Sequence, residues 1–157
     1  MELLKFFNDN IKIRLSEDEK DSLKYWSNQI KEGDTSYNAN YNKARYLARA
    51  YLYKREYVPL IAARMAKGGA PNINGLVFKD LYKINYDCKE ALKNFDKPVL
   101  IIQGRQDLVG SETAYKAHLV IPNSSIVFIE KCCHFGWLEQ EERYKEEIVS
   151  FIDGIEG

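Results

Sequence analysis

The sequence lacks an excess of charge, long apolar runs and a secretion signal. Its 157 residues hold 23 Lys and Arg against 23 Asp and Glu, and a balanced charge provides no field that attracts nucleic acid or an anionic membrane. No apolar stretch approaches the roughly 18–20 residues that a membrane-spanning helix needs, and residues 1–5 are too acidic a start for a signal peptide. We therefore predict a cytoplasmic protein with no nucleic-acid or membrane partner.

Cysteine is also scarce, and its pattern excludes two further classes. The chain has Cys88, Cys132 and Cys133. An odd number with two adjacent does not form a disulfide framework, and the spacing is not that of metal ligands. We predict reduced, mostly buried thiols, with neither a metal nor a cofactor. The hydrophobic fraction of 45% is enough for a packed core, so a globular chain is expected.

Helical signals dominate residues 1–95. Ser16 and Glu19 form a capping box at a helix start, and Pro59 is tolerated only in the first turn of a helix. Apolar residues recur at helical spacing over 42–56 and from Asn72 to Asn85. In the second stretch the side chains expected to face inward are Ile73, Leu76, Val77, Leu81 and Ile84. No clear strand pattern precedes residue 96, so a helical region over 1–95 is predicted.

The pattern changes at residue 96. Two apolar runs without alternation, 99–102 and 126–129, are typical of strands buried on both faces. Between them Ser111 can cap a helix that runs through Val120. A last helix from about Glu139 carries apolar residues that are expected to face inward: Tyr144, Ile148, Val149 and Ile152. Residues 96–157 are therefore predicted to form β-α-β-α with two parallel strands, an α/β arrangement.

A sheet of only two parallel strands is incomplete. Each strand leaves one edge of backbone donors and acceptors unpaired, and both strands are too apolar to be exposed edges. We therefore expect these strands to pair with another copy of the chain or with a missing amino-terminal half, or the tail to pack differently.

An acid and a histidine follow the two strands. Asp107 lies in Gly-Arg-Gln-Asp just past the first strand, and His134 lies in Cys-Cys-His-Phe just past the second. Such a pair normally orients and charges a general base that activates a nucleophile. The alternatives are a turn aspartate and a packed histidine. The carboxyl ends of parallel strands are where open α/β sheets bind ligands, which favours the functional interpretation.

These two segments resemble the acid and histidine motifs of the α/β-hydrolases, and residues 45–53 and 79–87 are similar to the cap of proline iminopeptidase-like members. The resemblance implies a partial α/β-hydrolase fold, with a mostly helical cap over 1–95 and the last two strand–helix units of the core over 96–157. In the family the triad runs Ser, Asp, His along the chain, with the serine in Gly-x-Ser-x-Gly. The resemblance therefore implies that Asp107 is the catalytic acid and His134 the catalytic base.

The nucleophile of that triad is missing from this sequence. None of its eight serines lies in Gly-x-Ser-x-Gly, so the resemblance implies the carboxy-terminal half of a hydrolase, inactive alone. The family usually has glycine before its histidine, where this chain has Cys133; a backbone conformation open only to glycine would be strained there. We do not predict a thiol nucleophile, because adjacent residues rarely present a sulfur to their neighbour's imidazole.

The implied reaction is serine-dependent hydrolysis of a peptide or amide with an unblocked amino-terminal residue. The runner-up substrate is a small ester or other carbonyl compound. The alternative from another class is a non-catalytic fragment, a binding module or one half of a split enzyme. Glu56, Asp80 and Glu139 could hold a substrate amino group or lie on solvated helix faces. Four tyrosines could line the pocket or pack in the core: Tyr46, Tyr51, Tyr53 and Tyr57.

Overall fold

The computed structural model describes residues 2–67 and 73–156. Its helices are α1 (Glu2–Arg14), α2 (Glu17–Lys31), α3 (Tyr37–Tyr51), α4 (Val58–Ala66), α5 (Ile73–Lys83), α6 (Lys89–Lys93), α7 (Ser111–Val120), α8 (Gly136–Glu139) and α9 (Glu141–Glu156), and its strands are β1 (Val99–Gly104) and β2 (Ser124–Ile129). No helix in these two ranges is both long and apolar enough to cross a membrane. The cytoplasmic location stays a prediction. The division of the chain into a helical cap over 1–95 and a part of the hydrolase core over 96–157 also stays a prediction.

Helices α1, α2 and α4 each pack against α3, and this group contains a small core and one buried carboxylate. The predicted capping box of α2 is present: the Ser16 side chain accepts the Glu19 N–H, and the Glu19 carboxylate accepts the Ser16 N–H at 3.0 Å. Glu19 is buried and also pairs with Arg49 of α3 and with Arg55, so it joins α2 to α3 and to the turn that follows. The core cluster comprises Ala48, Leu52, Val58 and Ile61.

Two helix starts in this region refine the sequence prediction. α3 begins at Tyr37 rather than near residue 42, because the Ser36 side chain caps it by accepting the Ala39 N–H at 3.1 Å. Pro59 lies in the first turn of α4, where its missing N–H leaves no helical hydrogen bond broken. Asn72, the predicted start of α5, lies outside the described residues.

The helix between the strands also begins differently. Ser111 is the first residue of α7 and its N-cap is Gly110, without a side-chain cap, so the prediction that Ser111 caps this helix is wrong. Gly110 has φ +82°, and a Cβ there would lie 2.8 Å from an atom of the Phe6 ring. Glycine is therefore needed at this position for both its conformation and its size.

β1 and β2 form the predicted parallel pair. The register aligns Val99 with Ser124 and Gly104 with Ile129. The Val99 N–H donates to the Asn123 carbonyl at 2.9 Å, and the Arg105 N–H donates to the Ile129 carbonyl at 2.8 Å. The last residues of both strands therefore lie side by side, which places the two following loops at one end of the sheet.

One edge of β1 faces away from β2. In a parallel ladder, alternate residues bond to the same neighbour, so the odd-numbered residues of β1 face β2 while Leu100 and Ile102 direct their N–H and C=O groups outward. Within residues 2–67 and 73–156, no third strand pairs with these groups. We call the outward backbone groups of Leu100 and Ile102 the open edge of β1.

Two helices expose apolar faces that the sequence predicted to be buried. On and just after α5, exposed side chains include Ile73, Leu76, Val77 and Ile84, and on α9 they include Ile148, Val149 and Ile152. The inward orientation predicted for these residues is therefore wrong in this structure. The periodicity gives each helix an apolar stripe, but the described part of the chain supplies no surface that covers it.

Candidate active site

Two loops follow the carboxyl ends of the strands and lie against each other. β1 continues into the acid loop, residues 105–110, and β2 continues into the histidine loop, residues 130–135. A Cβ on Gly104 would lie 2.2 Å from the carbonyl oxygen of Cys133 and 2.5 Å from that of Cys132. Only glycine permits this approach, so Gly104 sets how closely the two loops pack.

Gln106 links the two loops through hydrogen bonds in both directions. Its N–H donates to the Cys132 carbonyl at 3.0 Å, and its side-chain Oε1 accepts the Cys132 N–H at 3.1 Å. The backbone of the acid loop is thereby tied to the histidine loop one residue before Asp107.

The structure brings Asp107 and His134 together, and we call this pair the dyad. Nδ1 of His134 lies 3.1 Å from Oδ2 and 3.2 Å from Oδ1 of Asp107. The Asp107 side chain is 12% exposed and that of His134 is 39% exposed, so the acid is covered while the imidazole reaches the surface. The Val109 N–H donates to Oδ1 of Asp107 at 3.0 Å, which orients the carboxylate toward the ring.

This contact sets the protonation of the imidazole. The hydrogen bond to Asp107 raises the pKa of His134 above its ordinary value, and the negative charge of Asp107 adds to this effect while burial opposes it. A carboxylate at Nδ1 favours the tautomer that carries its proton on Nδ1. Nε2 then holds the lone pair that a general base needs.

His134 is also fixed by α3 and by its aromatic neighbours. Its backbone N–H donates to the Tyr51 carbonyl at 3.2 Å. The rings of Tyr51 and Phe135 each meet the imidazole edge to face, with centroids 5.4 Å away. Burial raises the pKa of Tyr51, so its hydroxyl stays neutral near the dyad. Of the four tyrosines proposed from the sequence, Tyr51 is thus the one that packs on the histidine ring.

Glu139 has a role that the sequence analysis missed. It is fully buried, and its Oε2 accepts the Cys133 N–H at 2.7 Å. Its Oε1 accepts the N–H groups of Tyr53 and Lys54 at 2.6 and 2.7 Å. Neither predicted role, a ligand for a substrate amino group or a solvated helix residue, fits a carboxylate that binds three backbone donors. The available signal was its place after the apolar Gly-Trp-Leu segment, which carries it into the core.

The other two candidate acids lie elsewhere. Glu56 and Asp80 are exposed, and neither lines the cavity beside the dyad. They stay candidates only for contacts with a substrate that extends beyond this cavity.

Helix α1 contributes a cation, Arg14, that contacts both loops of the site. The Arg14 guanidinium donates from Nη2 to the Gln106 carbonyl, and from Nη1 to Cys133 Sγ at 2.9 Å and to the Ala50 carbonyl at 3.2 Å. On the same helix, Asn10 donates to the Leu108 carbonyl at 2.7 Å. α1 therefore holds both the acid loop and the histidine loop.

The two cysteines of the histidine loop are structural. Burial raises the pKa of Cys132 to about 12 and also raises that of Cys133, so neither forms the thiolate that a nucleophile requires. In the described part of the chain, the non-glycine residues with positive φ are Asn85 and Lys131. Cys133 therefore does not occupy a conformation open only to glycine, and its backbone does not carry the strain that such a conformation would impose.

A cavity of about 250 Å³ opens beside the dyad. Gly104, Asp107 and His134 line it, together with the side chains of Trp137 and Tyr144. No serine or threonine is among its described lining residues. The cavity thus presents the His134 imidazole and the Asp107 carboxylate, and its described lining residues offer no serine or threonine hydroxyl.

Sequence comparison finds similarity to two enzymes over part of the chain. The chain is 32% identical over 71 residues, 45% of its length, to proline iminopeptidases from Saccharolobus solfataricus and Heyndrickxia coagulans. No protein-family model matches the chain.

Comparison with solved structures decides the fold. The chain superposes on a meta-cleavage product hydrolase from Pseudomonas fluorescens with a TM-score of 0.59 over 73% of its length, and on a serine hydrolase from Cycloclasticus zankles with a TM-score of 0.57 over 83%. The chain has part of an α/β-hydrolase fold. The sequence identity to both structures is 20%, so they define the fold of this chain and not its substrate. The predicted resemblance is confirmed.

The matches cover only part of the compared proteins. The chain spans 46% and 48% of the two solved hydrolases, and its match spans 23% and 25% of the two proline iminopeptidases. In this fold, Asp107 follows β1 and His134 follows β2, so both residues lie at the carboxyl end of the sheet.

Proposed function

We propose that this chain supplies the general base and the orienting acid of a serine hydrolase active site. The observation that carries the proposal is the contact of His134 Nδ1 with the covered carboxylate of Asp107. In this arrangement, Nε2 takes the proton of a serine hydroxyl as the serine attacks a carbonyl carbon. Asp107 keeps the imidazole in the correct tautomer and stabilises the imidazolium that forms.

The nucleophile and the oxyanion donors come, in this proposal, from a second polypeptide segment. Removing the nucleophile from such a triad lowers kcat by roughly 10⁶, so residues 1–157 alone are expected to be inactive. The open edge of β1 offers backbone groups at Leu100 and Ile102 to a further strand, and the exposed face of α9 offers Val149 and Ile152.

The partner we propose for these surfaces is a segment with the remaining strands and the Gly-x-Ser-x-Gly motif of an α/β-hydrolase. Two observations favour it over a second copy of the chain. The solved structures that share the fold are about twice as long as the matched region. A copy of the same chain would also add a base and an acid but no serine motif.

The substrate we propose is a peptide or amide with an unblocked amino-terminal residue. The proline iminopeptidases support this assignment because they share 32% identity with the chain over 71 residues. A small ester or other carbonyl compound is the second candidate. It is retained because one fold can serve enzymes of different activity, among them a meta-cleavage product hydrolase.

Complementation tests the proposal. The segment of the Heyndrickxia coagulans enzyme that precedes the region matching this chain is coexpressed with residues 1–157, and hydrolysis of a prolyl amide and of a small ester is measured. We expect hydrolysis by the pair, none by either part alone, and loss of at least 10³-fold with His134→Ala, on the order of the loss seen when a triad member is removed.

The control is the Heyndrickxia coagulans enzyme itself, cut at the same point and recombined. If the cut enzyme regains activity and the pair with residues 1–157 has none, the hydrolase role is wrong and the chain is a non-catalytic module. A stable complex of two copies of residues 1–157 that excludes the segment contradicts the proposed partner.

A further inference from the structure

Arg14 touches both loops of the dyad at equivalent places. One of its guanidinium nitrogens donates to the carbonyl of Gln106, the residue before Asp107. The other donates to the sulfur of Cys133, the residue before His134, at 2.9 Å, and to the Ala50 carbonyl at 3.2 Å. A single planar group therefore spans the acid loop, the histidine loop and the end of α3.

The contacts of Arg14 indicate that it holds the two loops at a fixed distance and does not act by neutralising a nearby carboxylate. All three acceptors are neutral, and no carboxylate within residues 2–67 and 73–156 forms an ion pair with Arg14. A guanidinium presents its donors in a rigid fork, so the distances between its acceptors are fixed by its shape. The Cys133 thiol is buried and neutral, and it serves as an acceptor at a place where a glycine would offer none.

We propose that Arg14 is a positioning residue that holds the acid loop against the histidine loop and thereby keeps Asp107 in contact with His134. Cys133 is part of this device, because its sulfur receives one of the Arg14 donors. The consequence for catalysis rests on the proposed function, but the contact itself does not, and it is measurable in the chain alone.

The pKa of His134 distinguishes a positioning role of Arg14 from a purely electrostatic one. Several titratable or charged groups surround the imidazole and its loop: Asp107 from the acid loop, Tyr51 from α3, Arg14 from α1, and Cys132, Cys133 and Glu139 from the segment after β2. Removing a nearby cation raises the pKa of a histidine, because repulsion of the imidazolium is lost. Removing a spacer that holds Asp107 in place lowers the pKa, because the carboxylate contact is lost. The two effects have opposite signs.

The experiment is NMR titration of the His134 ring in residues 1–157 with Arg14→Met, Arg14→Lys and Cys133→Ala. For Arg14→Met we expect a lower pKa of His134 and loss of the low-field proton resonance of Nδ1. Lysine keeps the charge without the fork, so Arg14→Lys should also lower the pKa. Cys133→Ala should lower it less, since two acceptors of Arg14 stay in place.

Arg143→Met is the matched control, because Arg143 is exposed on α9 and pairs with Glu146 and Glu147 of the same helix. It should leave the pKa of His134 unchanged. An unchanged or raised pKa in folded Arg14→Met overturns the proposal. If that variant does not fold, Arg14→Lys and Cys133→Ala decide: an unchanged pKa in both overturns it equally. Neither result depends on whether the complemented chain hydrolyses a substrate.

Discussion

Gly104 lies directly beneath the carbonyl of Cys133, so close that a Cβ on residue 104 would meet that oxygen at 2.2 Å. Gly104 is the last residue of β1, and the Cys133 carbonyl belongs to the backbone just before His134. The contact determines the spacing of the two loops and therefore the spacing of the acid and the base.

Gly104→Ala is expected to destabilise the fold by about 2 kcal/mol or more, because backbone has to shift to admit the methyl group. Urea denaturation of residues 1–157 measures this free energy. Gly154→Ala is the matched control: nothing lies within 4 Å of a Cβ there, and alanine in a helix is favoured over glycine by roughly 0.5–1 kcal/mol. Equal stability of the two variants contradicts the close approach.

Glu139→Leu is expected to cost about 3 kcal/mol or more in unfolding free energy, because three backbone N–H groups lose their acceptor and each buried unsatisfied donor costs roughly 1–3 kcal/mol. Chemical denaturation checks the value. Glu142→Leu, at an exposed position of α9, should change stability by only a few tenths of a kcal/mol. A similar cost for both variants would show that the Glu139 contacts contribute little.

The dyad should make stability depend on pH. The pKa of His134 is raised in the folded state, so its stabilising contribution is fully present below the unfolded-state pKa of about 6.5 and is lost as the pH rises through the raised value. Asp107→Asn should therefore reduce the unfolding free energy more at about pH 6 than at about pH 9, by up to roughly 1 kcal/mol for this partly exposed pair. Asp153→Asn, exposed on α9, should show no such dependence. A cost of Asp107→Asn that is independent of pH argues against the ion pair.

Thiol reactivity should separate Cys88 from the adjacent pair. Cys132 and Cys133 are buried with raised pKa values, whereas Cys88 is partly exposed. Alkylation of the native chain with iodoacetamide, followed by mass spectrometry, should therefore modify Cys88 first by at least an order of magnitude in rate. In urea all three should react at similar rates. Rapid native modification of Cys133 is incompatible with its burial and with its contact with Arg14.

The sequence predicted those parts of the structure that depend on residues close together in the chain. The capping box of Ser16 and Glu19, the two strands and the approach of Asp107 to His134 follow from short-range patterns and from the parallel arrangement of the strands. The sequence also indicates the hydrolase resemblance, because the two loop motifs lie directly after their strands.

The errors and omissions of the sequence-based prediction concern features that depend on contacts between residues far apart in the chain. Glu139 lies in a helical pattern that does not show which backbone donors it meets, and Arg14 lies more than a hundred positions from the sulfur it contacts. The apolar stripes of α5 and α9 were predicted to be buried, but burial needs a second surface, and periodicity shows only that one face is apolar.

Labelling with a fluorophosphonate, a reagent that reacts with the activated serine of a hydrolase, tests the roles of Asp107 and His134. It is applied to the segment of the Heyndrickxia coagulans enzyme that precedes the region matching this chain, in the presence of residues 1–157, with Asp107→Asn and His134→Ala as variants. If Asp107 and His134 act as acid and base, the segment is labelled only when the native chain is present, and the labelling is lost with His134→Ala. Labelling that is equal with native chain, with His134→Ala and without any chain would contradict the claim that Asp107 and His134 serve as the acid and base of a hydrolase.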